Sequence, residues 1–433
     1  MVDETGRVGA GAEQGAVPAA PPTPSYRALF RSRSFSALWV AQVISQSGDG
    51  ILDVVLPWLV LAMTDSAGLV GLTQAAVLAP GIFVGPAAGV YADRMNRRDL
   101  AILASLYQGG ITAVFTALYF LGYLTFSPLI VLVLLLYSGA EFYRAGSGAM
   151  MPSIVPRENL GVANGLFTLS TSTNQLASYT IGGIALITVG ITASIAYDSL
   201  TFFAAAVVLT IVARQLGSPG ELTPGPAAGE RKGFWALFRE GLAYVGENRL
   251  FKELMVFGVV VNFFGVGFTV VLAPYAVHQL HADAFWYAAL SVGFALGLIG
   301  GTAVIGRLNF RGYVGKVLFL GVMAVGPPAI LVGFVTSIPA AFALFIVMGA
   351  ISGSLNLPIQ VLVQTKVPRE LLGRAATVLR ATITMAIPIG AVSFGLLAQL
   401  TSAAVVFEVV GVSLIVVPLV LFLPFRELWR ASY

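Results

Sequence analysis

The 433 residues include no cysteine, which excludes disulfides, thiolate metal centres and cysteine nucleophiles. Charge is scarce: 10% of residues are Asp, Glu, Lys or Arg, where soluble chains carry about 25%. The two histidines, His278 and His281, share one short segment with Asp283. Their spacing permits a metal, but no further ligands accompany them, so no metal and no cofactor are expected. There is no phosphate-binding loop of the Gly-Lys-Ser type and no convergent nucleophile and base, which argues against an enzyme. Residues 1–25 lack the apolar core of a signal peptide. They are rich in Ala, Gly and Pro, carry Asp3, Glu4, Arg7 and Glu13, and read as a disordered cytoplasmic tail.

What the chain does contain is apolar surface. Hydrophobic residues make up 57% of it and the mean hydropathy is +0.88. A water-soluble core cannot hide so much, and strands of a barrel would give a far weaker hydropathy signal. Stretches of about 20 apolar residues cross ~30 Å of hydrocarbon as helices. Twelve are expected, at 35–63, 68–92, 99–122, 127–150, 161–189, 193–213, 252–277, 285–306, 313–335, 338–358, 372–398 and 402–424.

The basic residues check that count, because short cytoplasmic loops retain Lys and Arg. Arg27, Arg31 and Arg33 precede span 1, Arg94, Arg97 and Arg98 follow span 2, and Arg157 follows span 4. Arg214 to Lys252 lie between spans 6 and 7, Arg307, Arg311 and Lys316 follow span 8, Lys366, Arg369 and Arg374 follow span 10, and Arg426 and Arg430 end the chain. Loops on the other side hold none, and only Arg144 and Arg380 lie within spans. Both termini are therefore expected in the cytoplasm, and the pI of 9.3 is a topology signal rather than a mark of nucleic-acid binding.

A phrase, Val-Pro-Arg-Glu-x-Leu-Gly, occurs at Val155–Gly161 and again at Val367–Gly373, each time after the fourth span of a six-span set. This is a parallel duplication. The expectation is an all-α membrane protein of twelve transmembrane helices in two pseudo-symmetric six-helix bundles, residues 26–214 and 251–425, with a short C-terminus at 426–433. Between them, 215–250 is a cytoplasmic linker whose Pro- and Gly-rich start leads into Phe234, Trp235, Leu237, Phe238, Leu242 and Val245. These alternate with charge in the manner of a helix lying on the inner surface.

After span 2 the chain reads Gly89-Val-Tyr-Ala-Asp93-Arg94-Met-Asn-Arg97-Arg98, which resembles the signature of the major facilitator superfamily. Ser45-Gln-Ser-Gly-Asp49-Gly, Val155-Pro-Arg-Glu, Ala163-Asn-Gly and Tyr197-Asp-Ser-Leu are similar to phrases of its bacterial drug, macrolide and siderophore exporters. The resemblance covers residues 27 to 425. It implies the major facilitator fold and a conformational latch made of Gly89, Asp93, Arg94, Arg97 and Arg98, with Asp93 meeting the N-terminus of span 11. The alternative is a plain positive-inside anchor. The second half keeps a worn copy, Gly301 to Arg307, without the acid.

Polar residues within spans mark candidate sites. Gln42, Gln46, Asp49 and Asp53 share one face of span 1. Two carboxylates one turn apart repel in a low-dielectric setting, which favours sharing protons, as coupling requires. Glu141 and Arg144 lie one turn apart on span 4, and Arg144 can pair with Glu141, Asp49 or Asp53. These four residues are the proton-coupling candidates. Ser147 and Gly148 depart from the superfamily's span-4 motif, which has Gln and Gly after its Arg.

Span 5 carries Asn164, Thr168, Thr171, Gln175 and Ser178 in a stripe beside Asn174, facing either a cavity or a partner helix. The exporter motif of that span survives as Gly182-Gly183, but Ser178-Tyr179 stands where Gly-Pro is expected, so direction stays open. Substrate-binding candidates are Gln46, Asn174, Gln175, Asn262, Asn356, Gln360 and Arg380, with Asn356 the repeat equivalent of Arg144. Phe263, Phe264 and Phe268 either line a pocket or pack. Asp198 and Glu408, near the outer ends of their spans, read as structural.

The combined expectation is a monomeric secondary transporter in the plasma membrane. It couples protons to export of a small, partly apolar organic molecule by alternating access. An importer or a lipid or lysolipid flippase of the same fold is the alternative, and a membrane-embedded enzyme or receptor is disfavoured.

Overall fold

The computed structural model describes residues 26–156, 159–215, 234–308, 312–368 and 372–432. The tail 1–25 and the start of the linker lie outside the described residues, as do Arg157 and Arg369 of the repeated phrase. Among the described residues all regular structure is helical, one of the two ways, with the closed barrel, in which a backbone satisfies its own hydrogen bonds in lipid.

The first half begins with α1 (Tyr26–Arg31) and continues as α2 (Arg33–Thr64), α3 (Ala67–Phe83), α4 (Gly85–Arg94), α5 (Arg97–Phe120), α6 (Phe126–Ile154), α7 (Leu160–Thr188) and α8 (Gly190–Gln215). A connecting helix, α9 (Phe234–Glu247), leads to the second half: α10 (Arg249–Pro274), α11 (Ala284–Ile305), α12 (Val314–Phe334), α13 (Ile338–Lys366), α14 (Leu372–Leu400), α15 (Ala403–Phe422) and the short α16 (Arg426–Trp429). Ten described helices are long and apolar enough to span, and α3 with α4 makes an eleventh. α7, at 29 residues, has the length of the twelfth.

Helix starts follow local chemistry. Ser32, Ser66, Asn96, Asn248, Asp283 and Ser402 each cap a long helix by accepting from a backbone N–H two or three residues on. The expected span 68–92 is bent by 40°. The break falls at Val84 between Pro80 and Pro86, whose rings remove backbone donors and force the chain to turn. α13 runs eight residues past its expected limit of 358, because Asn356 and Gln360 are tolerated within a helix that is already satisfied along its backbone.

Within the first half α2 packs on α7 and α8, and α5 on α6 and α8; within the second, α10 packs on α14 and α15, and α12 on α13 and α15. The tightest pair is α11 with α13. At Gly297 and Gly301 an added methyl would overlap the carbonyls of Ile346 and Ala350, and at Gly349 and Gly353 it would overlap those of Phe294 and Leu298. Glycines four apart on both helices bring the backbones together, and Thr302 Oγ1 donates across to the Gly353 carbonyl at 3.0 Å. In lipid, where burial of apolar surface drives little, such close packing holds helices together.

The halves meet along α3–α14 and α7–α11. Gly71 lies against Ala391 and Gly395, Gly183 against Ala288, Trp58 against Tyr287 at 5.6 Å between rings, and Asp65 pairs with His278 at 3.3 Å. All of these lie at the face opposite the one that carries α1, α9 and α16. The molecule is thus closed at the far face.

Candidate transport site

A cavity of about 490 Å³ lies between the halves. α2 contributes Asp53 and Pro57 and α3 Gln74; α10 contributes Phe268 and Thr269, and α11 Tyr287, Ser291 and Phe294. Its wall is mainly apolar. Among the described lining residues Asp53 is the one charged group, exposed to this space, and Tyr137 of α6 donates its hydroxyl to Asp53 Oδ1 at 3.3 Å. Such a wall suits a partly apolar molecule, oriented by a few polar groups.

The other coupling candidates surround this point. Asp49, half-buried, lies one turn before Asp53 on α2. Arg144 Nη1 donates to both Glu141 oxygens at 2.6 and 2.8 Å, so of its three candidate partners it bonds Glu141. The Glu141 carboxyl rests on the break in the second span: a Cβ at Gly81 would stand 3.3 Å from one oxygen and a Cβ at Gly85 3.4 Å from the other. The pair therefore braces the bend between α3 and α4.

The polar stripe of α7 meets α2. Trp39 Nε1 donates to Ser170 at 2.8 Å, Gln46 Nε2 to Thr171 at 3.2 Å, Asn174 Nδ2 to the Val43 carbonyl at 3.0 Å and Ser178 to the Ser47 carbonyl at 3.3 Å. Gln46 and Asn174, read above as substrate ligands, thus stand in a helix–helix seam and not on the cavity wall. Asn262 donates to the Gly258 carbonyl of its own helix at 2.9 Å. Asn356 and Gln360 are exposed on α13, away from the lining set. Gln175 lies on α7 and Arg380 on α14, with side chains outside the described residues.

Of the signature, Gly89 faces open space, with nothing within 4 Å of an added Cβ. The close helix approach expected there is not made in this arrangement, because α4 packs on α3, α5 and α6 of its own half and the halves join at the other face. Asp93 lies on α4, its side chain outside the described residues; Arg94 is exposed, and Arg98 pairs with Asp99 at 3.4 Å next to the start of α5 at Arg97. Phe263 and Phe264 pack on Phe394, while Phe268 both stacks on Phe407 and lines the cavity. His278 pairs with Asp65 and Asp283 caps α11.

Sequence reasoning passed over Gln74, Thr269, Tyr287 and Ser291. Gln74 and Thr269 have no polar neighbour three or four positions away, and Tyr287 and Ser291, four apart on α11, make a stripe of only two, too short to stand out in the sequence. A faint signal exists in Thr269 following Phe268 by one residue, but a helix period alone does not say which face meets the other half.

A family model described as transmembrane secretion effector matches residues 24–429. The multidrug efflux pump Tap of Mycobacterium tuberculosis is 26% identical over 378 residues, covering 84% of this chain and 86% of the pump. Macrolide efflux protein A of Streptococcus pyogenes is 23% identical over 377 residues, covering 84% and 89%. A crystal structure of a bacterial homologue of the human lysosomal transporter Spinster, inward-facing and unoccupied, superposes with a TM-score of 0.70 at 15% identity, over 93% of this chain and 99% of that one.

Proposed function

Since the chain belongs to the transmembrane secretion effector family of the major facilitator superfamily, we propose that this transporter exports a small, partly apolar organic molecule in exchange for protons. The observation that carries the reading is Asp53, the one charged group among the described residues of an apolar cavity wall between two halves. A group so placed can hold either a proton or a polar part of the substrate, and competition between them links the two fluxes. Relatives named as a multidrug pump and a macrolide efflux protein favour export and an organic substrate.

The closed face carries no Lys or Arg in its loops, which supports assigning it to the outside and the termini to the cytoplasm of a plasma-membrane protein. The cavity then belongs to an inward-facing state. Alternating access follows if the halves rock about α3–α14 and α7–α11, opening the far face and bringing the signature loop toward α14. Both halves and the cavity lie in one chain, so a monomer suffices.

The test begins with a thermal-shift screen against macrolides, dyes, siderophores and lysolipids, since a ligand stabilises the fold by mass action. With the compound found, proteoliposomes carrying Asp49→Asn with Asp53→Asn should lose accumulation driven by a pH gradient. Undiminished uphill transport by that double variant would refute proton coupling through these residues.

A further inference from the structure

One acid next to the site takes no part in the cavity. Asp198, in the third turn of α8, is 0% exposed, and neither carboxyl oxygen has a hydrogen-bond partner among the described residues. Its room is provided by α2: at Gly48 an added methyl would overlap both Asp198 Oδ1 and Thr201 Oγ1, so the carboxyl rests on bare backbone one residue from Asp49. Thr201 does not serve it, because that hydroxyl donates to the backbone carbonyl of Asp198 at 2.7 Å. Ser199 is committed as well, to the Gly109 carbonyl of α5 at 2.9 Å.

The ionisable groups that act on this carboxyl are Asp49 and Asp53 from α2 and Tyr137 from α6. α5 and α7 also pack on α8 and add no cation that acts on it among the described residues. The neighbouring charges are thus of its own sign. An ionised carboxylate needs a cation or several donors when it leaves water, and none of the described residues brings either to Asp198.

We propose that Asp198 is a second proton-binding site of the transporter, occupied as the neutral acid while α2 and α8 pack as they do here. On loading, an O–H bond forms at one carboxyl oxygen; on release that bond breaks and the anion must find a donor or water. The packing at Gly48 gives it neither, so release requires α2 to shift against α8. α2 is also the helix that presents Asp53 to the cavity, so emptying the buried site and re-aiming the cavity acid become one movement. The role in transport rests on the proton-exchange reading above; occupancy by a proton does not.

Infrared difference spectra of the purified full chain in lipid, with exchange from H₂O to D₂O, separate the two. The expected result is a protonated-carboxyl band that persists in Asp49→Asn with Asp53→Asn and is missing in Asp198→Asn. Persistence of the band in Asp198→Asn, or its absence from the double variant, overturns the site; the double variant decides alone if Asp198→Asn does not fold. In proteoliposomes given external ethidium as the transported probe, Asp198→Asn should lower gradient-driven accumulation about tenfold, the scale of an ordinary coupling free energy. Full accumulation by that variant, with wild-type coupling intact, overturns the transport role. If the wild type itself shows no gradient-driven accumulation, the exchange reading fails while the infrared band still decides Asp198.

Discussion

At the scale of single residues, polar groups in this bundle divide between those that hold helices together and those that face the cavity. Asn174 belongs to the first set through its bond to the Val43 carbonyl. Asn174→Ala should lower stability by about 1 kcal/mol, the net worth of one hydrogen bond, and leave ligand affinity unchanged; thermal unfolding with and without ligand measures both. Ser291 belongs to the second set. Ser291→Trp should push an indole into the 490 Å³ space and weaken or abolish the ligand-induced thermal shift while the unliganded protein remains folded. The sequence showed that Gln42, Gln46, Asp49 and Asp53 share a face, since that follows from helix period alone. It did not show that this face is divided, with Gln46 bonded to Thr171 on α7 and Asp53 open to the cavity, because the division depends on where α7 stops covering α2.

Elements are held by close backbone approach and by capping of loose ends. Gly301→Val places a branched side chain where the Ala350 carbonyl lies, so α11 and α13 must separate. The expected outcome is loss of folded protein, read as aggregation in size-exclusion profiles, whereas the same change at Gly300, which meets nothing, should be tolerated. At the terminal face, α16 is clasped to α10: Glu253, 5% exposed, accepts from the Leu428 N–H at 2.7 Å and from Arg249 Nε at 2.9 Å. Trp429 packs on Phe319 and Phe422. Glu253→Ala leaves a buried N–H without its acceptor and should cost about 2 kcal/mol, seen as a lower unfolding temperature and faster proteolysis at the C-terminus. The helices were legible because a long apolar run is a local property. The clasp was not, since Glu253 and Leu428 are 175 residues apart and neither is unusual in its own segment.

The whole molecule is two halves joined at one face, and the absence of cysteine makes that arrangement easy to probe. Asp65→Cys with His278→Cys, across the 3.3 Å pair at the closed face, should cross-link with a short dithiol-reactive reagent. The locked protein should still bind its ligand but not transport it, and reductant should restore transport; transport by the cross-linked form would remove this face as a moving gate. The chain itself determined the helical class, the approximate limits of twelve spans and the duplication, all of which rest on apolar length, the lack of charge and a repeated phrase. Only the tertiary structure decided which polar groups reach the cavity, that the halves meet at Gly71, Gly183 and Asp65, and that Asp198 is buried against Gly48. The physical reason is one of rotation and contact: a helix period orders side chains around an axis, but which side of that axis meets lipid, a neighbour or open space is set by every other helix at once.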